Sequence, residues 1–535
     1  MKGGFRLGAI DTIELFGRPE VKVFAERPST IGQLLKDTVA RFGEKQAVVT
    51  EERTLSYLEL DAQSTVLAAN LQKRGIQVGD RVGAVIGNCA EFPVVVFACA
   101  KAGAIMVPIN VKLQVEELRY IIGHSKPKLL ICESEYAEKV NEAVHNNGLQ
   151  DAELPGLFVI GGENSYRQLM DDSASFEQAA IDEGDGAFIL YTSGTTGRPK
   201  GAVLAHINAV HSVMNYKRRF ETDDSMKTLV AVPMFHVTGL VGQLLHMFYI
   251  GGTVYSMKRY QNETYIQLIL KHEINFLFNV PTIFIMMSTS EEFQKHSFGF
   301  VKKVAFGGSP IYQQTFQMLK DAFPNAQLHN AYGATETTSP ATLMPVSYPE
   351  SKVMSVGLPV DVADIKIVDP EGRKVPAGES GELYIKGPMV IKEYWDNPAA
   401  NQSSFTDGYW HSGDLGIMDA DGYVYIRDRK KDMINRGGEK IFSIEVEDVL
   451  KSHPDVVEAA VIGEPDPVFG EKVKAFVVGP ALDPNDFSEL RAHCKEALAK
   501  FKVPEEFVLL ESLPRNASGK ILKNTLKETG GRSNA

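Results

Sequence analysis

Cysteine is scarce and scattered: Cys89, Cys99, Cys132 and Cys494 are the only four in 535 residues. No two form a C-x-x-C pair and none has a histidine pattern nearby, which excludes a thiolate zinc site; they read as buried thiols of a reducing compartment. Long apolar runs are missing too. The longest, residues 94–109, is broken by Lys101 and is too short to span a bilayer. The opening Met1-Lys-Gly-Gly-Phe-Arg6 has no apolar signal segment and the closing Arg532-Ser-Asn-Ala535 is no address signal, so a cytoplasmic protein without integral membrane association is expected. Positive charge is in deficit: 56 Lys and Arg against 68 Asp and Glu give a net charge of −12, which argues against nucleic acid as the main partner. Internal repeats and low-complexity segments are absent.

What is present is an ordinary globular composition, 44% hydrophobic and 23% charged, over a length that one core seldom supports. From about residue 30 to 131, helix-spaced and strand-like apolar patterns alternate, as in a layered α/β fold. The pattern predicts a helix over 30–42 capped by Thr30, a strand at 46–50, a helix opening at Leu55, a strand by 79–87, a helix through Phe97 and Ala100, and strands at 104–108 and 128–132. The polar stretch 133–185 reads as a loosely ordered connector. A charge-dense segment at 427–434 reads as a linker, either solvated or at a domain boundary. Beyond it, a smaller α/β alternation is expected: a helix from a Ser443 cap to His453, strands at 456–462 and 473–478, a helix over 486–501, a strand at 506–510 and a terminal helix. The division is therefore a large N-terminal domain over residues 1–428, a junction at 429–432 and a small C-terminal domain over 433–535.

Chemistry concentrates in Tyr191-Thr-Ser-Gly-Thr-Thr-Gly-Arg-Pro-Lys200-Gly201, directly after the apolar run Ala187-Phe-Ile-Leu. Glycines let backbone N–H groups approach phosphate oxygens, hydroxyls donate to them and a lysine offsets their charge, so the loop reads as a triphosphate cradle rather than a plain solvent turn. Gly201 follows Lys200 where a P-loop NTPase has a metal-binding Ser or Thr, so a metal ligand must come from elsewhere. The segments 231–240, 279–284 and 304–310 each read as a buried strand ending in a turn, the shape that lines a ligand crevice in open α/β sheets. His236 sits in the first of these turns, as a pocket residue or a structural one. Glu336, flanked by Thr335, Thr337 and Thr338, is either a hard-cation site or part of a capped helix start. Asp414, placed in a turn after Tyr409 and Trp410, suits two ribose hydroxyls or a simple Asx turn. A glycine–lysine loop, residues 513–521, precedes the terminal helix, and Lys520 alone reads as a surface lysine.

Taken together and in this order, the motifs resemble the adenylate-forming superfamily of acyl-CoA synthetases, non-ribosomal-peptide adenylation domains and luciferases, over residues 30–525. The match is nearest to acyl-CoA synthetases of the fatty-acid or 4-coumarate ligase type. The resemblance implies a large multi-subdomain α/β domain with a small mobile α/β domain behind it. It implies a phosphate loop of Thr192, Ser193, Gly194, Thr195, Thr196, Gly197 and Lys200, and an adenine wall of Gly307, Gly308, Ser309 and Pro310, covered by Tyr332 beside Gly333. Thr335 then matches a phosphate contact and Glu336 the magnesium ligand, while Asp414 and Arg429, with Ile426, match the ribose side. Lys520 matches the lysine bridging acyl carboxylate and α-phosphate, Lys431 the hinge, and Gly437, Gly438, Glu439 and Lys440 the CoA-side loop. ATP, Mg2+ and CoA are thus expected, with a carboxylic acid converted first to an acyl-adenylate and then to a thioester.

Candidate acyl-pocket residues are His236, Val237, Leu240, Val280, Phe284, Phe306, Gly333 and Thr338. They include no arginine or lysine to pair a second carboxylate, which disfavours dicarboxylates. A medium- or long-chain fatty acid is favoured because small Gly333 leaves room at the pocket mouth; an aryl acid of the 4-coumarate or benzoate type is the alternative. The same motifs would also serve an adenylation domain or acyl-AMP ligase that loads a carrier protein, a luciferase-like monooxygenase or a non-catalytic nucleotide-binding regulator. Oligomeric state is left open between monomer and homodimer.

Overall fold

The computed structural model describes residues 9–145, 155–161, 165–192, 198–515 and 521–530. Its first 429 residues build four sheets, of two, seven, nine and five strands, and a separate five-stranded sheet with its own helices forms a smaller C-terminal domain. One sheet has seven strands in the order Glu393–Tyr394, Lys200–Ala205, Gly186–Thr192, Ile105–Pro108, Arg81–Val85, Leu129–Glu133 and Gly156–Ile160. The second has nine and includes Lys227–Val230, Phe276–Asn279, Lys303–Gly307 and Gln327–Tyr332 as parallel neighbours. Their strands read as near-continuous apolar runs because helices cover both faces. A single large buried cluster, including Phe97, Phe188, Tyr216 and Phe248, joins the two sheets.

Local signals account for most boundaries. The Thr30 hydroxyl accepts the Gln33 N–H and starts helix Ile31–Phe42. Leu55 falls in a short strand, Thr54–Ser56, and the helix begins only at Tyr57, where Ser56 and Glu59 form a reciprocal capping box. The stretch 133–185 is not a bare connector. It contains helix Ala137–His145, which buries Val140, Ala143 and Val144, and strand Gly156–Ile160, which extends the seven-stranded sheet in parallel beside Leu129–Glu133. Polar residues around both obscure their pattern: each element is an outer one and needs only one apolar face.

The turn expected at Asp414 and the cap expected at Ser443 take other forms. Asp414 lies inside the long strand Tyr409–Met418, where Gly413 adopts φ +69° and the pairing register with Gly381–Lys386 shifts between Glu382 and Tyr384. This bulge re-aims the carboxylate without ending the strand. Ser443 is not a cap: Phe442 holds that position, and the Ser443 N–H and hydroxyl both donate to Asp428. Asp428 is thereby buried, 1% exposed, inside the charge-dense segment read as a linker, either solvated or at a domain boundary. Burial pushes its carboxyl pKa up to about 6 against the opposing pull of Lys523.

Candidate functional site

The four parallel strands of the nine-stranded sheet end side by side, and their carboxyl ends deliver the motif segments to one edge. After Lys227–Val230 comes the turn bearing His236; after Phe276–Asn279, Val280 and a helix started by Pro281; after Lys303–Gly307, the segment 307–310; after Gln327–Tyr332, residues 333–338. Gly307 is required because a Cβ there would lie 2.3 Å from the Ala331 carbonyl oxygen of the neighbouring strand, and Gly308 adopts φ +80°. Gly333 has a different reason from the one its small size suggested. A Cβ at Gly333 would lie 1.4 Å from the Ser339 carbonyl oxygen, so the glycine closes a tight turn and does not by itself leave room for a chain.

Tyr332 and Asp414 meet directly: the phenol donates to Asp414 Oδ2 at 2.7 Å, and Arg429 Nε stands 3.4 Å from Oδ1. Burial and the adjacent carboxylate push the Tyr332 pKa well up, so the ring stays neutral and its hydroxyl stays a donor. Arg429 pairs with Asp414 across the strand register. Ile426 is half-buried on the same strand, Val424–Arg429, beside Tyr332 in a small apolar cluster. Three groups distant in sequence thus form one polar corner with an aromatic face.

A second corner forms around Tyr394, which no sequence motif marks. Its hydroxyl donates to Glu336 Oε1 at 3.0 Å and accepts from Trp410 Nε1 at 3.3 Å. The Lys200 ammonium lies 4.2 Å from the Tyr394 ring centroid. Strand pairing explains the convergence, because Glu393–Tyr394 runs antiparallel to Lys200–Ala205 and the Ile391 N–H bonds the Glu336 carbonyl. Glu336 has no ion-pair partner among the described residues, and that suits a carboxylate that takes a hard cation. Thr335 opens the same single 3-10 turn, Thr335–Thr337, while Thr338 is fully buried with φ +49° and an unpartnered hydroxyl. Thr192 faces Lys200 across a hairpin register. Ser193, Gly194, Thr195, Thr196 and Gly197 lie outside the described residues, as does Lys520, whose flanks Arg515 and Ile521 pair as an isolated bridge.

His236 packs edge-on against Phe235, and its Nε2 is shielded from water without a partner. Burial, aided by the Lys112 ammonium, pulls its pKa down to about 4, so the imidazole is neutral at pH 7. Asn88, at 5% exposed, fixes the backbone that carries it: the amide donates to Val232 O at 3.1 Å and Met257 O at 3.2 Å and accepts the Met234 N–H at 2.9 Å. Sequence hides this role because the partners lie 142 to 169 residues away. Of the remaining acyl candidates, Leu240 is buried in the main core, Val237 packs against it, and Val280 lies within reach of Gly308. Phe284 and Phe306 are 1% exposed and meet Phe323 and Phe316 edge to face in a second core. Lys431 is an exposed turn residue, and Gly437, Gly438, Glu439 and Lys440 are exposed on a hairpin of the small domain.

Comparison with known proteins matches residues 35–395 to the AMP-binding enzyme family and 445–520 to the AMP-binding enzyme C-terminal domain. Feruloyl-CoA synthase of Amycolatopsis sp is 33% identical, with 89% of this chain and 94% of that protein covered. The long-chain-fatty-acid–CoA ligase FadD13 of Mycobacterium tuberculosis is 32% identical, over 93% and 98%. Among solved structures, ATP-bound MatB from Rhodopseudomonas palustris superposes with a TM-score of 0.86 at 31% identity, covering 94% of this chain and 99% of that one.

Proposed function

The chain belongs to the AMP-binding enzyme family, and from that premise we propose that it is an ATP-dependent acid–CoA ligase acting on a monocarboxylic acid with an apolar body. The observation that carries the reading is the convergence of Lys200, Glu336 and Tyr394 beside the Tyr332–Asp414–Arg429 corner. One set provides a cation and a metal-competent carboxylate for phosphates; the other provides an aromatic face and acceptors for a nucleoside.

A carboxylate is a poor acyl electrophile. In the first half-reaction its oxygen attacks the α-phosphorus of ATP, the bond to the β-phosphate oxygen breaks, and pyrophosphate leaves with the electron pair. In the second, the sulfur of CoA attacks the acyl carbon, the thiol proton is lost and AMP departs. Bringing two anions together is the electrostatic difficulty, and magnesium held by Glu336 would supply charge neutralisation there. Tyr394 fixes the Glu336 carboxylate through its hydroxyl, Lys200 faces the phosphates, and Asp414 accepts the ribose hydroxyls. Neutral His236 and uncharged Val237 and Val280 line the acid side, and Lys520 bridges the acyl carboxylate and α-phosphate. Residues 437–440 would line the thiol entry after the small domain turns about Lys431.

For the acid we favour a medium- or long-chain fatty acid, supported by the uncharged acyl candidates and by the similarity to FadD13. An aryl acid is the second reading, supported by the comparable similarity to feruloyl-CoA synthase. The test is acyl-CoA formation, read by mass spectrometry, with ATP, magnesium and CoA against straight-chain acids from acetate to stearate, benzoates, cinnamates and amino acids. Thioester from one apolar class carries the proposal. Adenylate without thioester, or silence across the panel, overturns it.

A further inference from the structure

Arg18 is a buried cation that the proposed chemistry does not use. It sits at the turn of the N-terminal hairpin Ile10–Leu15 and Arg18–Phe24, ahead of the segment matched by the family. Its residue is 8% exposed, and among the described residues no carboxylate lies within 4.0 Å of its guanidinium. What holds it is one hydrogen bond to the Lys392 carbonyl at 3.0 Å and the face of Phe405, 4.5 Å from ring centroid to Cζ. Without a counter-ion, desolvation pulls its pKa down to about 10. A desolvated charge left in that state is costly, and proteins pair such charges or give them a ligand.

Arg18 borders an open surface pocket of about 320 Å3 that is also lined by Phe16, Lys392, Phe405 and Asp407. Lys392 and Arg18 both stand over the Phe16 ring, at 5.7 and 5.8 Å from its centroid, and Lys392 has no carboxylate partner either among the described residues. Two unpaired cations therefore converge on one space walled by two phenyl rings. Asp407 and Glu393, which also line it, oppose a polyanion and favour a ligand with a single negative charge.

We infer that this pocket is a binding site for a small apolar monocarboxylate, its carboxylate on Arg18 and Lys392 and its body against Phe16 and Phe405. The site is close in sequence to the proposed catalytic corner, since the Lys392 carbonyl that receives Arg18 is two residues from Tyr394, the partner of Glu336.

The chain's two tryptophans, Trp395 and Trp410, flank this region: Trp410 pairs with Phe405 across a strand register and Trp395 follows Tyr394. Intrinsic fluorescence of the full chain titrated with cyclohexanecarboxylate, which does not absorb at tryptophan wavelengths, reads binding directly. The expected result is a saturable change that cyclohexanecarboxamide does not produce, that persists in His236→Ala, and that weakens about tenfold or more in Arg18→Gln, the scale of a lost charge-assisted hydrogen bond. Because Arg18→Gln can loosen the hairpin, Lys392→Gln, an exposed change, must weaken the same response. A response unchanged in Lys392→Gln, equal for acid and amide, abolished by His236→Ala or absent altogether overturns the inference.

Discussion

Tyr394 is the side chain through which Lys200 and Glu336 are brought together, and it defines the sharpest test at the level of single residues. Tyr394→Phe keeps the ring under the ammonium but removes the donor to Glu336. The expected result is a fall in kcat of about tenfold to a hundredfold, the range for one hydrogen bond to a charged group, with a higher magnesium requirement and little change in KM for ATP. Asp414→Ala should do the reverse, raising KM for ATP by about tenfold or more while leaving the magnesium dependence in place. Both are read from initial rates of pyrophosphate release. Lys200, Glu336, Tyr332 and Asp414, which the structure brings together, stand in segments whose glycines, hydroxyls and isolated acids mark them in the local sequence. Tyr394 and Asn88 are not so marked, since their partners are 58 and up to 169 residues away and no spacing rule connects them.

At the scale of elements, the turn after strand Gln327–Tyr332 holds the site in register. Gly333→Ala would place a methyl carbon 1.4 Å from the Ser339 carbonyl oxygen, so the turn cannot close unchanged. The expected cost is about 3 kcal/mol or more, visible as a large drop in denaturant midpoint together with loss of ATP-dependent turnover. An unchanged midpoint would show that the turn yields where the structure holds it closed. Strand and helix identity follows from periodicity wherever both faces or one full face are buried. Periodicity misleads for 133–185, where the outer helix carries a narrow apolar stripe and the edge strand is only five residues long, and for Asp414, because a bulge inside a strand has the composition of a turn.

For the whole molecule, four fully buried histidines set the response to acid. His206, His211, His246 and His329 are 0% exposed, and burial pulls the first to a pKa of about 4 and the others to about 3. In the unfolded chain they titrate near 6.5. Above that pH both states are neutral and the histidines add no pH dependence. Below it the unfolded chain takes up protons that the folded chain refuses, so stability is lost progressively from about pH 6.5 down to pH 4. The size is about 1–2 kcal/mol per histidine at pH 5. Asp428 and Asp448, raised to about 6, work in the opposite direction but are fewer. Calorimetry should show Tm falling between pH 7 and pH 5; a flat profile contradicts this burial pattern. The two-domain arrangement makes a separate prediction. Lys520→Ala should slow pyrophosphate release by about 10²- to 10³-fold while leaving thioester formation from supplied acyl-adenylate largely intact.

In the proposed reaction an acyl-adenylate forms before any thiol is involved. The most direct test is exchange of labelled pyrophosphate into ATP by the full chain with magnesium and an apolar acid, without CoA. Acid-dependent exchange is expected, followed by acyl-CoA and AMP once CoA is added. Exchange that is absent for every acid, or products of ADP and phosphate in place of AMP and pyrophosphate, would contradict this reaction.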